Sequence, residues 1–296
     1  MKSGLFVCIL AGLFVLSAFP VMAEETPAFQ EEEKLEIPGV NDITETEIKV
    51  ESRGYQLDGR MVVPDTGEEK YPFVVLTHGF TADFHDMDNI AEALGKNGIA
   101  SVRVSLTGSG DSEGLYEDTT LTTQKEDILN VLAYVKGLDI ADTNNLFLCG
   151  KSQGGLGSAL AAVDCEEDIN ALCLWFPAFC IPDDFRGGRV MFTEFDLNDI
   201  PEKVEIFENY AVGKAMIEEN LAMDPYALVS PFAKDVLIIH GDSDGIVNYS
   251  YSEKLNETYA NSELVTIEGG DHGFQGDNEL YALDQTVKFI QAHLAE

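Results

Sequence analysis

Asn145-Leu146-Phe147-Leu148-Cys149-Gly150-Lys151-Ser152-Gln153-Gly154-Gly155 decides the fold. Its first five residues make an apolar strand, and residues 153–163 read as a helix. A strand that enters a helix through Gly-x-Ser-x-Gly does so by a sharp turn that strains its central residue. Glycines two before and two after that residue avoid a steric clash. The Ser152 hydroxyl then stands at the carboxyl end of a sheet, beside a helix N-terminus.

Working outward, the same alternation recurs. Apolar strands are expected at 73–77, 99–106, 171–176, 235–239 and 263–267, with helices at 87–97, 121–135, 251–259 and 280–294. Strands buried on both faces and alternating with helices imply an α/β fold, a mostly parallel central sheet flanked by helices. Polar–apolar alternation at 46–50 and 56–63 predicts an antiparallel hairpin at the sheet edge. Between Phe176 and Asp235 no core strand is legible, yet the stretch carries Phe179, Phe185, Phe192, Phe195, Phe207, Tyr210 and Tyr226. A connection this long in a compact domain reads as an inserted lid, placed at about 178–232.

A serine hydroxyl needs a base. Of the five histidines, His272 sits in Gly269-Gly270-Asp271-His272-Gly273-Phe274, a loop directly after the last strand. Open α/β sheets place their sites at such strand ends. The imidazole in turn needs an acid. His240-Gly241-Asp242-Ser243-Asp244 follows the preceding strand; Asp244 lies farther out and suits that role, while Asp242 would stabilise the loop. The order Ser152, Asp244, His272 is the α/β-hydrolase order. An oxyanion would be met by the backbone N–H of Gln153 and of Phe80, the latter in the loop His78-Gly79-Phe80-Thr81.

The chain has 296 residues and a formal net charge of −35. Such a surface repels nucleic acid and anionic lipid. Lys2, an apolar run over residues 5–19, Pro20 and the small-residue ending Val21-Met22-Ala23 read as a signal peptide, residues 1–23, cleaved after Ala23. The protein is then expected to be secreted or periplasmic, with no membrane association after cleavage. Residues 24–44 form an acidic leader and residues 45–296 the α/β domain. No cofactor is expected. Gly108-Ser109-Gly110-Asp111-Ser112 lacks the lysine of a phosphate loop and the third glycine of a dinucleotide fingerprint. No metal is expected either, because no histidine–carboxylate cluster is visible. Cys149, Cys165, Cys173 and Cys180 follow the leader, and their even number leaves a disulfide open, Cys165 with Cys180 for example.

Five segments together resemble the bacterial cinnamoyl (feruloyl) esterases: His78-Gly79-Phe80-Thr81, Gly108 to Gly114, Gly150 to Gly155, His240 to Asp244, and Asp271 to Phe274. The resemblance covers about residues 45–295. It implies a Ser152–His272–Asp244 serine esterase acting on hydroxycinnamate esters, free or linked to plant polysaccharide. It also implies an inserted lid that offers polar groups to a phenolic ring. Asp183 or Asp184 would fill the place of the lid carboxylate; residues 211–216 hold no counterpart of the lid tyrosine, and Lys151 stands where the family's elbow has histidine. Two other readings are a peptidase or lipase-like hydrolase with the same triad, and an inactive binding protein that keeps the fold.

Overall fold

The alternation at the start of the domain becomes a hairpin. Strands β1 (Ile43–Ser52) and β2 (Tyr55–Pro64) pair antiparallel, with Ser52 opposite Tyr55. The two residues between them, Arg53 (φ 53°) and Gly54 (φ 86°), both have positive φ, as the tight turn of a twisted two-residue hairpin requires. On β1, Ile48 and Val50 turn inward while Glu47, Lys49 and Glu51 face solvent.

The structure, a computed structural model, describes residues 35–207 and 210–295. The expected signal peptide and most of the acidic leader lie outside the described residues. From β2 the chain runs through β3 (Tyr71–Thr77), α1 (Asp88–Lys96), β4 (Ala100–Val104), α2 (Leu121–Lys136), β5 (Ala141–Lys151), α3 (Ser152–Asp164) and β6 (Ala171–Trp175). A second run carries α4 (Ile181–Arg186), β7 (Arg189–Val190), β8 (Thr193–Glu194), β9 (Lys203–Phe207), β10 (Tyr210–Gly213), α5 (Lys214–Ala222) and α6 (Pro225–Val229). The chain then returns through β11 (Val236–Gly241), α7 (Ser250–Thr258), β12 (Ser262–Ile267) and α8 (Asp277–Ala292).

Among the described residues, eight strands form one sheet in the order β1-β2-β4-β3-β5-β6-β11-β12. Pairs involving β2 are antiparallel and all others parallel. The fold is therefore the α/β fold expected from the sequence. Its central strands are rich in aliphatic and aromatic residues and, Pro72 apart, buried along their length, as a sheet covered on both faces demands. Helix α2 packs on α3 and α1 on α8. The start of α2 is fixed by a capping box, Thr120 and Thr123 each bonding the other's backbone N–H.

Order in the sheet sets the site. From β3 the chain crosses to β4 on one side, and β5 then lies on the other, so the sheet reverses direction about β3. Crevices form at the carboxyl ends of strands at such a reversal. The loop after β3 and the turn after β5 meet there.

The cysteines answer the question that the sequence leaves open. Cys149, Cys165, Cys173 and Cys180 are all buried and free, with no disulfide between Cys165 and Cys180. Cys165 follows the last residue of α3, whereas Cys180 shares a cavity with Ser152 at that helix's first residue. Thirteen helical residues separate those two ends by about 20 Å.

Candidate active site

Ser152 is the first residue of α3 and has φ 50°, a left-handed conformation rare outside glycine. The turn holds it there by contact. A Cβ on Gly150 would lie 2.3 Å from the Gly154 carbonyl oxygen, and one on Gly154 would lie 2.2 Å from the His78 oxygen. Both glycines are thus required by close approach, and the elbow is locked against the loop after β3. The carbonyl of Ser152 accepts a hydrogen bond from Ala178 N–H (2.9 Å), which ties the elbow to the start of the inserted segment.

The three residues read from strand ends come together. Ser152 Oγ lies 3.1 Å from His272 Nε2, and His272 Nδ1 lies 2.7 Å from Asp244 Oδ2. The network assigns the tautomer: Nδ1–H donates to the carboxylate, and Nε2 accepts from the serine hydroxyl. The Asp244 side chain is fully buried. Its Oδ1 accepts the backbone N–H groups of Ile246 and Val247 (both 2.8 Å), while Oδ2 also faces His240 Nε2 at 3.0 Å. Burial alone would raise its pKa, but the hydrogen bonds from His240, His272 and Val247 N–H outweigh that and hold the carboxyl well below its usual range. It stays ionised and fixes the imidazole.

Two further acids fix the loops. Asp242 Oδ1 accepts Gly269 N–H (2.7 Å), joining the acid loop to the histidine loop. Asp271 Oδ1 accepts the N–H groups of His272 (2.7 Å) and Gly245 (3.1 Å).

His78 governs the loop after β3. Its Nε2 accepts Leu106 N–H (2.9 Å), so Nδ1 carries the proton and donates to the Gly79 carbonyl (2.8 Å). Burial lowers its pKa, in keeping with a neutral ring. A trans peptide points its C=O and N–H in opposite directions. Pinning the Gly79 carbonyl therefore directs the Phe80 N–H away from His78. The Phe80 ring packs edge-on against Tyr116 (5.5 Å between centroids), and the Tyr116 hydroxyl donates to Gln153 Oε1 (2.8 Å). Phe80, Ser152 and Gln153 border one cavity of about 180 Å³.

The rest of that cavity comes mainly from residues 178–216, including Ile181, Phe185, Val190, Phe192, Val212 and Met216. The two acids of α4 do not share a role. Asp184 lines the cavity and is ion-paired with Arg189. Asp183 faces elsewhere, accepting from the Tyr251 hydroxyl (3.1 Å) and pairing with Arg186 (2.9 Å). Neighbours on a helix point about 100° apart, so of the two alternatives Asp184 is the one that faces the cavity. The aromatic residues divide similarly. Phe185 and Phe192 reach the cavity, whereas Phe179 and Tyr226 pack on each other (5.1 Å).

Sequence reasoning passed over Phe176. It follows β6 with φ 35°, and its ring lies 4.5 Å from the His272 imidazole and 5.0 Å from Phe274. An aromatic ending an apolar strand looks like core, and nothing in its neighbours marks it as a brace.

Similarity to known proteins bears on identity. The family described as serine aminopeptidase, S33, matches residues 68–204. Est1E from Butyrivibrio proteoclasticus, solved with ferulic acid bound, is 30% identical with a TM-score of 0.78, and the match covers 84% of this chain and 100% of Est1E. This chain belongs to the α/β-hydrolase family. The hydrolase also matches dienelactone hydrolase from Anabaena variabilis ATCC 29413 (16% identity, TM-score 0.60, 86% of this chain and 99% of that one), a likeness of fold alone. An uncharacterized 31.7 kDa Escherichia coli protein from the traX-finO intergenic region is 27% identical over 111 residues, which are 37% of the hydrolase and 38% of that relative's length. Among the described residues of the hydrolase, no helix is long and apolar enough to cross a membrane.

Proposed function

We propose that this hydrolase cleaves carboxylic esters through an acyl-serine intermediate, with Ser152 as nucleophile, His272 as base and Asp244 as its orienting acid. The observation that carries the reading is the unbroken Ser152–His272–Asp244 contact chain opening into a largely apolar cavity. His272 Nε2 takes the Ser152 proton as Oγ bonds to the ester carbonyl carbon. The resulting oxyanion accepts from the N–H groups of Gln153 and Phe80. Collapse breaks the ester C–O bond, and His272 returns the proton to the leaving alcohol. Water, deprotonated by the same imidazole, then releases the acid and restores Ser152.

The acyl group we assign is hydroxycinnamoyl, of the feruloyl type. Ferulic acid bound to Est1E supports it, as do Phe185 and Phe192 on the cavity wall. Asp184 and its partner Arg189 are charged groups on the cavity wall that could meet a phenolic ring. The matched family's name favours a second reading, an aminopeptidase. Such an enzyme needs a free carboxylate for the substrate's ammonium, and Asp184 is already neutralised by Arg189. We also propose export directed by residues 1–23, for which a secreted product with an intact mass beginning at Glu24 is the expected result.

A fluorophosphonate probe and a substrate panel test the reading. Labelling of the wild type but not of Ser152→Ala, with methyl ferulate turned over faster than simple acetates and aminoacyl amides, supports it. Absence of labelling would return the chain to the class of binding proteins. Faster cleavage of aminoacyl amides would replace the esterase by the peptidase.

A further inference from the structure

The residue just before the nucleophile carries a buried charge. The side chain of Lys151 is only 10% exposed. Its ammonium donates to the Asp86 carbonyl (2.6 Å), stands 3.6 Å from Asp86 Oδ1, and lies 5.3 Å from the centre of the Trp175 ring. Burying an ammonium is costly unless it is paired and hydrogen-bonded. Here every polar partner belongs to one residue, Asp86, whose other carboxylate oxygen accepts Gly79 N–H at 3.0 Å. Gly79 precedes Phe80, and a Cβ built on Gly79 would lie 3.4 Å from Ser152 Cβ, so this peptide passes directly over the nucleophile.

The loop needs such a hold. Thr81, two residues beyond Gly79, has φ 56°, a strained conformation for a β-branched side chain. Strain of this kind persists only where the surroundings impose it. His78 pins the Gly79 carbonyl and Asp86 pins the Gly79 N–H, which leaves the N–H of the Gly79–Phe80 peptide free to meet an oxyanion. Lys151 is absent from the residues lining the cavity.

We infer that Lys151 and Asp86 are positioning residues that clamp the Gly79–Phe80 peptide against the nucleophile elbow and so set the oxyanion donor. The inference rests on the assignment of Ser152 as nucleophile. The clamp acts on the transition state more than on bound substrate, because the donor meets full negative charge only there.

The test uses the full-length protein and its variants K151M, K151R, D86A and K151M/D86A. Each is measured for fluorophosphonate labelling rate at Ser152, for kcat per titrated serine, for KM, and for inhibition by an aryl boronic acid that forms a tetrahedral adduct. Displacement of a catalytic group by about 1 Å costs on the order of 100-fold. We expect K151M to lower labelling rate, kcat and boronate affinity together by ten- to 100-fold, with KM within threefold. K151R restores most of the loss, and K151M/D86A is no worse than K151M alone. Normalising to titrated serine removes any misfolded fraction, and D86A with K151R decides the matter if K151M gives no soluble protein. Wild-type labelling and kcat in K151M or D86A, or additive losses in the double variant, would overturn the clamp. If the wild type itself fails to label at Ser152, the nucleophile assignment falls instead, and the clamp with it.

Discussion

The Nε2 of His240 lies 3.0 Å from Oδ2 of Asp244, the oxygen that also faces His272 at 2.7 Å. One buried carboxylate thus serves two imidazoles. His240 is itself anchored at its other nitrogen, where Nδ1 accepts from the Ser252 hydroxyl (2.6 Å). A hydrogen bond to a buried charged group contributes about 1.5–3 kcal/mol. His240→Leu keeps the bulk and removes the donor. It should lose about 2–3 kcal/mol in urea unfolding, together with part of kcat. Unchanged stability would show that His240 does not hold Asp244.

Acid stability follows from two shifts. The folded His78 ring resists protonation, while the unfolded ring takes a proton near its ordinary 6.5, so stability falls as pH drops below that value. Asp244 behaves as a depressed carboxyl: its contribution is present above the unfolded value of 3.8 and is lost as pH falls through and below it. Unfolding free energy should therefore decline from pH 7 to 5 and more steeply below 4. His78→Asn, whose amide can still donate to Gly79, should flatten the first decline. An identical slope in that variant would refute the assignment.

Gly154→Ala tests the elbow's close packing. Its methyl would meet the His78 and Thr77 carbonyl oxygens at 2.2 and 2.4 Å, distances no side chain tolerates. Forced contact of this kind typically costs 1–3 kcal/mol or more. The expected result is a lower melting temperature and a labelling rate reduced at least tenfold. Wild-type labelling would mean that the turn has room.

The two acids of α4 should separate in substrate selectivity. Asp184→Asn changes a group that lines the cavity, whereas Asp183→Asn changes one that faces α7. We expect Asp184→Asn to shift the ratio of methyl ferulate to methyl cinnamate hydrolysis by several-fold and Asp183→Asn to leave it unaltered. Equal effects would remove Asp184 from the substrate.

The fold was legible because its signal is local. Apolar runs such as Phe73-Val74-Val75-Leu76 and the glycines around Ser152 report burial and backbone geometry within a few residues. Ser152, Asp244 and His272 were readable as positions for the same reason, since each follows an apolar strand. What stayed hidden depends on distance along the chain. Lys151 meets Asp86 across 65 residues, and the aromatic brace on His272 joins the end of β6 to the loop after β12. Helix α4 has six residues with Pro182 near its start, too short for periodicity to say which of Asp183 and Asp184 points inward.

Strands β6 and β11 are direct parallel neighbours, with Leu172 opposite Val236. Everything between them leaves and re-enters the sheet at adjoining strands, and the hydrogen-bond ladder closes without it. Closing a longer or shorter excursion changes the chain entropy only slowly. The ladder therefore tolerates a change of length within residues 178–232, provided that the Ala178 N–H on the Ser152 carbonyl and the core side chains Phe179, Val229 and Phe232 are kept.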